Sequence, residues 1–128
     1  MSIGVWKPAK DQPLDEPSVR SLLGALPSEP LETIAGLAAS DFLTYRFMVT
    51  EDRAAWSVAE QLSKAQIEQL VRFFTLAEQA WSGWEAGKLS AVIPLVSRLK
   101  LQSGFDPELR RWIKKNTDNR YLPNGAAL

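Results

Sequence analysis

The sequence contains no cysteine and no histidine. Without cysteine there is no disulfide, no thiolate nucleophile and no cysteine-ligated metal, a composition suited to a reducing cytosol. The missing histidine excludes more. It is the commonest general base, the usual partner of a catalytic serine and the commonest transition-metal ligand, so a Ser-His-Asp triad cannot be built here. Long apolar runs are missing too. Residues 1–10, MSIGVWKPAK, hold no stretch of signal-peptide length, and no uncharged apolar run approaches the roughly 18 residues of a membrane span. The expectation is a soluble, cytoplasmic protein with no membrane partner. Net charge is the last absence: 15 basic and 15 acidic residues leave a formal charge of zero, whereas a nucleic-acid binder usually carries a basic excess.

That zero conceals an asymmetry. Residues 1–60 carry five basic and nine acidic side chains and residues 61–128 carry ten and six, so the halves stand at −4 and +4. Opposite charges of this kind attract within one domain or between two copies, and a basic half can also face an anionic partner. With 128 residues, 45% apolar and 23% charged, the chain is long enough to bury one continuous core. No repeat, low-complexity run or long linker divides it, which predicts a single domain.

Proline is abundant where the chain begins: Pro8, Pro13, Pro17, Pro27 and Pro30 all fall in the first thirty residues. Neither one long helix nor a central strand tolerates that density. Residues 1–14 therefore read as an extended N-terminal arm and residues 15–128 as the helical domain. Ile3, Val5, Trp6 and Leu14 make the arm too apolar for a disordered tail, so it is expected to lie on the body or on a second subunit. Asp15-Glu16-Pro17 opens a first short helix, with Val19, Leu22, Leu23 and Leu26 at helical spacing. Leu31, Ile34, Ala35 and Ala38 repeat that spacing and predict a second short helix ending near Ala39. Between Phe42 and Val49, apolar and polar residues alternate much as in a strand. No second strand is available to pair with it, so the segment is assigned as helix.

The central helix has the best-specified start. Ser63 and Gln66 have the capping-box spacing, and Leu62 and Ile67 occupy the two positions of a hydrophobic staple. Ile67, Leu70, Val71, Phe74 and Trp81 then line one face, flanked by Phe73, Leu76 and Ala80. Gly83 and Gly87 follow and turn the chain. A further helix is expected from near Pro94 through Leu95, Val96, Leu99 and Leu101 to Gly104. Asp106-Pro107 starts the last, with Leu109, Trp112 and Ile113 inward. The architecture predicted is an all-α, compact, single-domain bundle of five to seven helices.

The outward face of that last helix is the main candidate for function. Arg110 with Lys114 and Arg111 with Lys115 are i, i+4 pairs, and Arg98, Lys100 and Arg120 could extend the patch. Four cations so placed can follow phosphates or meet an acidic protein surface. The plainer account is that cations late in a helix complement its dipole and keep the surface solvated. Trp84, beside Gly83 and Gly87, could stack on a base, a sugar or a proline-rich ligand, but the buried stripe running into Trp81 favours a core role. For catalysis only carboxylates remain: Glu51 and Asp52, Glu29 and Glu32, Glu85, and Asp106 and Glu108. Asp106 is explained by capping and Glu108 by the positive helix end. No phosphate loop, nucleophile elbow or calcium loop is present. No catalytic residue, metal ligand or cofactor is assigned. Pro123 stops helical continuation, and Tyr121 and Leu122 can close over the core. The sequence thus predicts a non-catalytic protein-interaction domain that self-associates as a homo-oligomer or binds another protein. A nucleic-acid-associated protein is the alternative, and an enzyme using carboxylates alone the third.

Overall fold

The computed structural model describes residues 14–51, 53–102 and 104–123, with backbone alone at Arg53; of the predicted arm, only Leu14 falls within them. Among the described residues four α-helices run in chain order: α1 (Glu16–Gly24), α2 (Lys64–Ala80), α3 (Val92–Leu101) and α4 (Pro107–Asn116). Three 3-10 segments, Ala39–Thr50, Arg53–Gln61 and Gly87–Leu89, join them. No strand occurs among the described residues, and the all-α architecture is as predicted.

α1 begins where the sequence places it. The Asp15 carboxylate accepts a hydrogen bond from Ser18 N at 3.0 Å, and Val19 and Leu22 are buried. The second short helix does not form: residues 27–38 run as turns and bends, with Leu31 and Ile34 buried but Ala35 and Ala38 exposed. Pro27 and Pro30 bring no backbone donor, and Gln69 of α2 takes three of the remaining backbone groups. Its Oε1 accepts from Leu31 N at 2.9 Å, while its Nε2 donates to Pro27 O at 2.8 Å and to Glu29 O at 2.9 Å. Arg72 Nη1 adds a bond to Leu31 O at 2.9 Å. Hydrogen bonds from α2 thus replace those a local helix would have made.

The segment around Phe42–Val49 is helical, as assigned, but of the 3-10 type. With three residues per turn, side chains at i and i+3 share a face. Phe42 and Met48 are buried on that face and Tyr45 is half-buried between them. An unanticipated 3-10 segment, Arg53–Gln61, follows the same rule: Trp56, Ala59 and, just beyond, Leu62 are all buried.

α2 is the centre of the fold, packing on α1, α3, α4 and the first 3-10 segment. Both capping-box bonds are made: Gln66 N donates to Ser63 Oγ at 3.2 Å, and Ser63 N to Gln66 Oε1 at 2.8 Å. Leu62 and Ile67 are buried on either side of the cap, and Leu70, Val71, Phe73, Phe74 and Ala77 are fully enclosed. α3 lies along α2 and also meets the second 3-10 segment. Leu101, expected on its inner stripe, is instead 73% exposed, because the helix ends there and Gly104 N turns back to Leu99 O at 2.7 Å.

α4 starts at Pro107, but the Asp106 carboxylate makes no capping bond and lies 3.4 Å from Lys64 Nζ instead. Leu109 and Ile113 are buried. Trp112 is half-buried, its Nε1 donating to Glu32 Oε1 at 2.8 Å and its ring under the Arg72 guanidinium at 4.6 Å. The following chain closes over the core as expected: Leu122 is buried and Tyr121 half-buried. Gln79 and Asp118 exchange two bonds, of 2.8 and 2.9 Å, that tie it to α2. Among the described residues, no helix is long and apolar enough to cross a membrane.

Candidate functional site

Inward-facing Leu109 and Ile113 fix the rotation of α4, and this directs Arg110, Arg111, Lys114 and Lys115 into solvent. None of these four side chains has a hydrogen-bond or ion-pair partner among the described residues. Other cations are engaged. Arg20 lies 2.6 Å from Glu16, Lys64 3.4 Å from Asp106, Arg72 3.3 Å from Glu32 and Arg98 3.0 Å from Glu60. Arg98 therefore does not extend the patch as a spare charge, and the Lys100 ammonium sits 5.7 Å from the Phe105 ring centroid. Arg120 is exposed and has no hydrogen-bond or ion-pair partner among the described residues, but it borders a separate cleft beyond the end of α4.

Trp84 is not an exposed aromatic platform. It is 1% exposed, with its ring centroid 5.1 Å from that of Trp81 and 5.8 Å from that of Phe73. Gly83 and Gly87 adopt φ values of 88° and 57°, a left-handed backbone that suits glycine. The turn carries Trp84 back onto the end of α2, where Trp84 N donates to Trp81 O at 3.1 Å. Of the described carboxylates singled out from the sequence, Glu32 is held by Trp112 and Arg72, and Asp106 faces Lys64. Glu85 accepts from Gly83 N at 3.0 Å and is the one that borders the Arg120 cleft. No group of three or more acidic residues among the described residues could hold a metal ion.

One group escaped the sequence reading. Glu78 is 6% exposed, and burial pushes its carboxyl up to about 8. A bond from Ser90 Oγ to Glu78 Oε2, at 2.6 Å, acts in the opposite direction without cancelling that effect. Ser90 Oγ in turn accepts from Val92 N at 3.1 Å at the start of α3. Glu78 Oε1 has no hydrogen-bond partner among the described residues. The signal was available in the spacing: Glu78 lies four residues after Phe74, seven after Val71 and three before Trp81, on the stripe that packs inward. Glu78 borders a cleft of about 370 Å³ that also meets Gln79, Ala86, Asp118, Arg120 and Tyr121. The described residues thus present two polar features, an open cationic face on α4 and a cleft bordered by Glu78 and Arg120. No protein-family model matches the chain, and comparison with curated proteins and with solved structures likewise found no match.

Proposed function

We propose that this chain is a non-catalytic protein-interaction domain that docks an acidic protein surface on the outer face of α4, its first candidate partner being a second copy of itself. The observation that carries this reading is that four neighbouring cations, Arg110, Arg111, Lys114 and Lys115, are unpaired among the described residues, whereas Arg20, Lys64, Arg72 and Arg98 each face a carboxylate. The −4 charge of residues 1–60 against +4 in residues 61–128 favours attraction between two copies. The reading needs no cofactor, and the lack of cysteine suits a cytoplasmic setting.

The test is solution mass by light scattering as salt is varied. The wild type is expected to associate at about 20 mM salt and to dissociate near 500 mM, where screening acts within a few ångströms. The double variant Arg111→Ala, Lys115→Ala should remain monomeric throughout. A wild type that is monomeric at low salt and does not bind a poly-glutamate probe would remove this reading. Mixed-sequence DNA and RNA serve as the contrasting ligands. If they bind, with a log–log salt slope that flattens by roughly one per lost phosphate contact in the double variant, the face belongs to a nucleic-acid-associated protein.

A further inference from the structure

The cleft between the end of α2, the turn at Glu85–Gly87 and the chain following α4 has the dimensions of a small-ligand site: its volume is about 370 Å³, within the roughly 300–1,000 Å³ typical of such sites. Its frame is already fixed by internal bonds. Gln79 and Asp118 bind each other, Asn119 Nδ2 donates to Gly87 O at 2.9 Å, Asn119 Oδ1 accepts from Tyr121 N at 3.0 Å, and Thr117 Oγ1 accepts from Asn119 N at 3.0 Å. Carbon surface comes from Ala86, Gly87 and the Tyr121 ring. A larger cleft of about 490 Å³ beside Arg46 and Gly83 is bordered by no buried polar atom left without a partner.

Two residues that border the smaller cleft have unused hydrogen-bonding capacity among the described residues, Arg120 in the open and Glu78 at a buried oxygen. The Arg120 guanidinium has no carboxylate or carbonyl partner among the described residues. Burial pushes the Glu78 carboxyl up to about 8, which favours its protonated form below that pH. Because Oε2 accepts from Ser90, that proton belongs on Oε1, the oxygen without a partner. Both unused groups are therefore donors, and a ligand that satisfies them must present acceptors. A carboxylate offers two acceptor oxygens and the charge opposite to Arg120. Glu85 and Asp118 also border the cleft and disfavour ligands with several negative charges, such as oligophosphates, more than one with a single charge.

We infer that this cleft binds a small monocarboxylate with an apolar body, its carboxylate held by Arg120 and reaching the Glu78 carboxyl. Oε1 is shielded from bulk solvent, so contact with it requires side-chain movement of the kind common on binding. An acceptor arriving there meets a donor with no protein bond to give up.

The probe is benzoate, with benzyl alcohol as its uncharged match, followed through backbone amide shifts in ¹H–¹⁵N spectra of the full chain. Benzoate at up to about 10 mM, the range of weak fragment binding, should shift the amides of Gly87, Asn119 and Tyr121. Benzyl alcohol should bind at least about tenfold more weakly, and Arg120→Ala should weaken benzoate by about tenfold. Glu78→Gln, which keeps a donor, should bind more tightly than Glu78→Leu, which does not. Arg120 is exposed, so its variant folds and the test does not depend on core changes. No shift in the wild type, an equal response to benzyl alcohol, or unchanged benzoate binding by Arg120→Ala would each overturn the inference. A cleft that holds only water gives the first of these results.

Discussion

Glu78 is a carboxyl at a position where α2 otherwise buries apolar side chains, and its ionisation couples folding to pH. Its folded value of about 8 stands above the ordinary 4.5, so the native chain retains a proton across the interval in which the unfolded chain loses it. Its stabilising share is complete below about pH 4.5 and is lost progressively as pH rises to about 8, by about 1.4 kcal/mol per pH unit. The wild type should therefore be less stable at pH 8 than at pH 5, by on the order of 4 kcal/mol from this group alone. Glu78→Gln removes the titration while keeping the shape, and urea unfolding across that range should give a flatter profile. Parallel profiles for the two proteins would mean that Glu78 ionises as freely in the folded chain as in the unfolded one.

At the scale of elements, two kinds of helix behave differently. α2 is specified by neighbours in sequence, since Ser63 and Gln66 cap each other three residues apart. Ser63→Ala should cost about 1 kcal/mol in chemical denaturation, the usual value of a lost cap. Residues 27–38 are held from a distance instead, through bonds from Gln69 spanning 38 to 42 positions. Gln69→Ala strands three backbone groups at once and should cost about 2–3 kcal/mol. Hydrogen exchange should then quicken at Leu31 while α2 stays protected. If Leu31 exchanges at the same rate in both proteins, the turns of residues 27–38 are held by side-chain packing rather than by Gln69.

For the whole molecule, the two sides of α4 have separate duties. Its inner side is committed to the core through Leu109 and Ile113, while Trp112 links it through Glu32 to the turns before the first 3-10 segment. The outer cations make no hydrogen bond or ion pair among the described residues. Arg111→Ala with Lys115→Ala should consequently leave unfolding free energy within about 0.5 kcal/mol of the wild type, as expected for solvated charges. A larger loss, seen in the same denaturation experiment, would show that the face supports the fold and would reduce its standing as a docking surface.

The local sequence determined where α1, α2 and α4 begin, because caps and first-turn prolines act over three or four residues, and it determined which side of α4 faces outward, because helical spacing sorts Leu109 and Ile113 from the cations. Tertiary structure decided the rest. Phe42, Tyr45 and Met48 share a face only once the segment adopts three residues per turn, a choice made where Phe42 meets Phe73 and Trp81 at 5.3 and 5.6 Å. Residues 27–38 lost their helical spacing to bonds from Gln69, and Trp84 became core because the Gly83–Gly87 turn returns it to α2. The Glu78 carboxyl is raised to about 8 for the same class of reason: its charge state depends on burial and on partners such as Ser90, brought to it by the fold and not by the residues beside it in the chain.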